Sequence, residues 1–262
     1  MRLTRFILLG VGSLLATACD SDSITEADLP PVAEVRYINA VADTGGVDIR
    51  MIDQVDLSPV GNNLAFRAGT LYQQGEAKAR RIRVFPTSIN PNVTSQVLLD
   101  TTITLQADTR ITLLLTGASR TPGALRFVTI DDNAPAPPAG EISVRMVNAS
   151  TGAASGYLVN TTTTALPGTA TFANIASNAT SAYVNRAIGA AALRVTETGA
   201  TVTASVAGPA SPATPTGAFP AAGVSSAGTA FSAYYFPKAR AGAVAAPSVV
   251  WFVDRNPCDD GC

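Results

Sequence analysis

The sequence predicts an all-β protein built as two tandem immunoglobulin-like β-sandwich domains. Three observations predict it: a hexapeptide written twice, apolar residues alternating with polar ones, and no long helical spacing beyond the first nineteen residues. "VRYINA" occupies Val35 to Ala40 and "VRMVNA" occupies Val144 to Ala149, 109 residues later. "RIRVF" from Arg81 matches "ALRVT" from Ala192 at an offset of 111. "TRITLLLTG" from Thr109 matches "TAFSAYYFP" from Thr229 at 120, and "VTIDDN" ending at Asn133 matches "WFVDRN" ending at Asn256 at 123. Offsets that only grow, in unchanged order, mean two copies of one unit, the second carrying insertions. A period this long gives tandem domains, because solenoid repeats run only about 20–50 residues.

Within each unit the pattern has period two. Val47, Ile49 and Met51 alternate with Asp48 and Arg50; Ile103 and Leu105 with Thr102 and Thr104; Val202, Ala204 and Val206 with Thr203 and Ser205. Each run has one apolar and one polar face, as in a strand packed on a core from one side. Leu113-Leu114-Leu115 lacks alternation and predicts a central strand buried on both faces. Short strands in units of about 100–120 residues fit a sandwich. Asn39 and Asn148 close their strands before "AVADTGG" and "ASTGAAS". Asparagine there bonds nearby backbone and tolerates a turn.

Composition narrows the function. Of 262 residues, 47% are hydrophobic and 14% charged, enough to fill a core. A net charge of −1 argues against a nucleic-acid partner. Histidine is absent, which removes the commonest general base, the commonest metal ligand and every His-containing triad. The reading is therefore non-enzymatic, with no catalytic residue, metal or cofactor. Paired carboxylates at Asp131 and Asp132 would be poor catalysts, because neighbours on a strand point to opposite faces.

The first residues read as an address. Arg2 and Arg5 precede an apolar run from Phe6 to Ala16 that is short for a membrane span. Leu15-Ala16-Thr17-Ala18-Cys19 resembles the bacterial lipobox, in which the cysteine is lipidated and becomes the new N-terminus. Ala16 stands where that motif most often has leucine. The expectation is a signal peptide over 1–18, lipidation of Cys19, and a lipid-anchored bacterial envelope protein facing periplasm or cell surface. Cleavage leaves 16 basic against 19 acidic residues, a net of −3. "DSDSITEADLPP" continues as an acidic, solvated tether within 19–32.

The first domain is expected over 33–133, a linker over 134–140 and the second domain over 141–256. "DDNAPAPPAG" reads as a stiff proline connector. It also resembles the calcium-binding linker between cadherin domains, without the further acids such a junction needs. "AGPASPATPTGAFPAAGVSSAG" (207–228) is a low-complexity loop whose one large apolar residue is Phe219. In the tail, 257–262, Cys258 and Cys262 are expected to pair as a disulfide in an oxidising envelope; free or intermolecular thiols, or an incomplete zinc set, are the alternatives. "KARRIR" (78–83) is the one basic cluster, and Arg81 and Arg83 share a strand face. It reads as a solvated outer face, or as a contact for anionic envelope polymers or headgroups. Sequons at Asn92, Asn148, Asn160 and Asn178 carry little weight in a bacterial protein.

"VRYINAVADTGGVDIRM", then Tyr72, "RIRVF", a threonine-rich strand and "ITLLLTG" resemble the bacterial domain-of-unknown-function family 4397. "VRMVNAS" resembles the opening of a second such domain. The resemblance implies secreted or lipid-anchored β-sandwiches, often in tandem, and supplies no catalytic residue. The expected function is a non-catalytic envelope spacer or binding module, with envelope polysaccharide or protein as a partner beside the membrane. The alternative is a carbohydrate-binding or adhesion module using Trp251, Tyr234 and Tyr235, which requires those rings to be exposed in a row.

Overall fold

The computed structural model describes residues 30–197, 199–212, 220–239 and 246–259. The signal peptide, Cys19 and most of the tether, together with Phe219 and Cys262, lie outside the described residues. The first half holds β1 (Val32–Asn39), β2 (Val47–Met51), β3 (Val60–Leu64), β4 (Gln73–Glu76), β5 (Ala79–Pro86), β6 (Leu99–Thr104), β7 (Arg110–Thr116) and β8 (Arg126–Asp131). One short helix, α1 (Pro91–Thr94), is capped by the Asn90 side chain. The second half holds β9 (Glu141–Asn148), β10 (Ala154–Val159), β11 (Phe172–Ile175), β12 (Val184–Ala187), β13 (Ala192–Thr196), β14 (Val202–Ala207), β15 (Ala230–Phe236) and β16 (Ser248–Arg255).

The two halves have one topology. The first pairs its strands as β4-β1-β7-β8 and β3-β2-β5-β6; the second as β12-β9-β15-β16 and β11-β10-β13-β14. Adding eight to each label of the first converts it into the second. Each half has one parallel pair, β1 with β7 and β9 with β15. The opening strands repeat their turn chemistry as well. Asn39 Nδ2 donates to Leu64 O and its Oδ1 accepts from Val41 N. Asn148 Nδ2 donates to Ile175 O and its Oδ1 accepts from Ser150 N. Both asparagines are fully buried, so each closes a strand by satisfying backbone groups that water cannot reach.

The last strands correct the sequence alignment by one residue. Thr129 pairs with Leu113 and Trp251 with Ala233, which makes Asp132, not Asp131, the counterpart of Asp254. A register shift between Ala230 and Phe231 absorbs the difference. In a pleated strand a slip of one reverses the face, and the burial follows: Asp132 and Asp254 are buried, Asp131 exposed.

Each sandwich has its own core. Val35, Tyr37, Ile49, Ile82, Val84, Leu113 and Leu115 fill the first. Val144, Met146, Leu193, Val195, Phe231, Ala233 and Tyr235 fill the second. A third core joins them, made of Ile38, Ala40, Leu114 and Ile130 from one half and Val147, Ala149, Tyr234 and Phe236 from the other. Leu114 thus points away from its neighbours Leu113 and Leu115, as the unbroken leucine run predicts. The sheets carrying β1 and β9 are apolar on both faces, and burying the second face requires the other half. Across the proline connector the two sandwiches pack together, and residues 31–262 form one compact unit.

The strands run in the same general direction across this contact. At one end the chain enters at Pro31, bonded to Ala77, and Arg110 of the first half reaches Asp254 O and Asp259 of the second. At the other end Phe66 meets Phe236 at 6.1 Å, Thr116 bonds Asn178, and Arg67 donates to Pro237 O and Ala246 O.

Candidate functional site

The densest chemistry lies where β1, β7 and β8 meet β9, β15 and β16. The second letter of each repeated hexapeptide, Arg36 and Arg145, turns into this contact because its neighbours in sequence face the sandwich cores. Arg36 Nε donates to Thr112 Oγ1 at 2.9 Å, Nη1 to Val253 O at 2.9 Å, and Nη2 to Asp254 Oδ1 at 2.8 Å and Asp132 Oδ2 at 3.2 Å. Arg145 repeats the set in reverse. Its Nε donates to Ser232 Oγ at 2.6 Å, its Nη1 to Asp131 O at 2.6 Å and its Nη2 to Asp132 Oδ1, and Asp254 Oδ2 stands 3.8 Å from Nε.

Hydroxyls complete the quartet. Tyr72 Oη and Thr112 Oγ1 donate to Asp132; Tyr183 Oη and Ser232 Oγ donate to Asp254. Each guanidinium lies over the tyrosine of its own half, 4.6 Å from the ring centre in both. Two arginines thus face two aspartates, each half supplying one of each, related by an approximate two-fold axis. Such a contact is isologous, the same patch used on both sides.

Burial sets the electrostatics. It pushes the Asp132 carboxyl up from its ordinary value, and Arg36 and Arg145 oppose that push. It works against the Arg36 charge, but the surrounding tyrosine and aspartate oxygens hold that arginine above its ordinary range. Burial also raises Tyr72 and Tyr183, so both phenols stay protonated and donate. Charges here are paired two against two, the arrangement in which buried ions are tolerated. Both carboxylates are engaged by several donors each, which suits a clamp between halves.

Beside the quartet a cleft of about 510 Å³ opens to solvent between Glu34, Asp108, Arg110 and Asp259. Arg110 bonds Glu34 and donates to Asp259 Oδ2 at 2.8 Å, tying the tail to the first half. Burial alone would raise the Asp259 pKa, but Arg110 and the Asn256 amide hold it below the ordinary carboxylate value. A depressed acid stabilises the fold above its unfolded pKa, about 3.9 for aspartate, and loses that effect as pH falls through the lower native value. Asp259→Asn is expected to lower the unfolding temperature at pH 7 and to match wild type in acid below that window. The pair is partly exposed, so the difference is no more than about 1 kcal/mol. Equal melting at neutral pH would remove the strap.

The other residues singled out by sequence are placed as follows. Tyr234 and Tyr235 are fully buried in the joint core and the second core, and Trp251 is half-buried against Phe231 at 5.8 Å. These three do not form an open aromatic row. In the basic cluster Arg80 is fully buried on Asp53, Leu57 O and Ser58, Arg81 and Arg83 share Asp100, and Lys78 pairs with Glu76. Asp131 and Asp132 point to opposite sides, and the described residues hold no cluster of three potential metal ligands. Cys258 is disulfide-bonded. No described helix is long and apolar enough to cross a membrane.

Arg36, Arg145, Asp132 and Asp254 were not picked out from the sequence as a set. The available signal was the arginine repeated inside two otherwise apolar strands. These features sit on a matching family: residues 33–155 match Domain of unknown function (DUF4397). The DUF4397 match runs from β1 through the first sandwich and the connector into β10, and so includes both copies of the hexapeptide and Arg36, Asp132 and Arg145. It leaves Asp254 and β11 to β16 unmatched. No curated protein matches the chain.

Proposed function

We propose that this protein is a non-catalytic lipoprotein of the bacterial cell envelope, acting as an anchored spacer or binding module. The observation that carries the reading is the cysteine at the end of the short apolar leader, Leu15-Ala16-Thr17-Ala18-Cys19. The acidic, proline-closed tether that follows supports it, because such a segment separates a folded body from a lipid surface. The engaged charges of the quartet favour a framework role over a catalytic one. The alternative, a carbohydrate-binding module using Trp251, Tyr234 and Tyr235, loses its expected stacking platform, since two of the three rings are fully buried.

The test is lipidation. Wild type is expected to incorporate labelled palmitate and to sediment with membranes, and Cys19→Ala to lose both. One acyl chain holds a protein only marginally, so stable anchoring needs the additional chains that lipobox processing supplies. A Cys19→Ala protein that still sediments with membranes defeats the anchor.

A further inference from the structure

The end of the body remote from Pro31 carries a second cleft, of about 490 Å³, within the range of small-ligand sites. One wall is the segment after β1, at Asp43 and Thr44; the other is the turn after β7, at Ser119 and Arg120; Gln96 and Leu98, after α1, close the third side. Asp43 fastens the two walls, its carboxylate accepting from Ser119 N at 2.8 Å and Arg120 N at 3.3 Å. Burial alone would raise the Asp43 pKa, but these amides hold it below its ordinary value. Its carboxylate thus joins the two walls in the absence of any ligand.

The Arg120 side chain is different. It is exposed at the rim, and no hydrogen bond or ion pair engages its guanidinium among the described residues. No aromatic residue lines the cleft, whereas hydroxyl and amide groups do. We propose that this cleft binds an acidic saccharide, with Arg120 on the sugar carboxylate and Thr44, Ser119 and Gln96 on its hydroxyls. A guanidinium fork matches a carboxylate in two parallel bonds. Thr44, Ser119 and Gln96 offer hydrogen-bond partners to a ligand covered in hydroxyls, and Pro86, Val93 and Leu98 give an apolar patch on which the less polar face of a sugar ring can lie. The cleft lies beyond the C-terminal end of β1, whereas Pro31 precedes its N-terminal end. This inference rests on the binding-module reading and names its ligand class.

Calorimetric titration of the full mature chain with trigalacturonate tests it, with galactotriose and triglutamate as comparisons. Trigalacturonate is expected to bind weakly but measurably and the other two not at all. Arg120→Gln, at an exposed position, is expected to keep the wild-type unfolding temperature and to bind at least tenfold more weakly. Arg120→Lys recovers part of the loss. Arg81→Gln, whose partner Asp100 is on the neighbouring strand and which does not line the cleft, leaves binding unchanged. No binding, equal affinity for the neutral sugar, preference for triglutamate, or undiminished binding by Arg120→Gln each overturns the proposal. Membrane fractionation separates this failure from that of the anchor, because the titration needs no lipid and Cys19→Ala leaves the cleft unaltered.

Discussion

Asp132→Ala is expected to lower stability by about 3–5 kcal/mol, the cost of leaving a buried charge without its partner. The carboxylate is fully buried and receives bonds from Arg36, Arg145, Tyr72 and Thr112. Removing it leaves two guanidinium groups facing one remaining aspartate in a site closed to water. For a chain of this size the loss corresponds to a fall in unfolding temperature on the order of 10 °C. Asp131→Ala provides the comparison. That side chain is exposed, and its removal is expected to stay within about 0.5 kcal/mol. Two adjacent aspartates with effects so different would identify the face that matters, and similar melting of the two variants would show that the quartet does not hold the halves.

The second large effect belongs to the joint core. Leu114→Asp places a carboxylate opposite Tyr234 and Phe236 in an apolar layer, and the cations that border it, Arg36 and Arg67, already have partners. Such burial costs more than about 4 kcal/mol, or else the layer opens to admit water. Leu113 and Leu115 still fill the first sandwich core, so that half keeps its interior. The expected result is a split transition: wild type unfolds in one step, whereas the variant shows two, with Trp251 fluorescence reporting the second sandwich separately from total β signal. A single transition at the wild-type temperature would mean that the joint layer contributes nothing.

Much of the architecture was legible because alternation reports directly on which face a strand buries. The runs at Val47–Met51 and Ile103–Leu105 and the unbroken leucines at 113–115 gave strands and a two-faced central strand. Repetition gave the doubling. The side-by-side packing was not read, although its signal was present: Ile38 and Val147 are apolar at positions where a one-sided strand would be polar. The quartet was harder still. Arg36 and Asp254 are 218 residues apart, and nothing local in either strand names the other as its partner. The alignment added an error of one residue at the last strand, which placed the wrong aspartate beside its twin. Asp43 and Arg120 sit in turns with no periodic pattern, so the cleft they border was invisible before the fold brought them together.

Matching strand order in the two halves, joined through a shared patch, has a consequence for how such a surface changes over time. In an assembly of identical subunits every substitution at a two-fold contact appears on both sides at once. Here both sides belong to one polypeptide, so each can vary alone. Leu114 and Tyr234, or Thr112 and Ser232, are such unlike pairs at corresponding strand positions, differences that an assembly of identical copies has no way to hold.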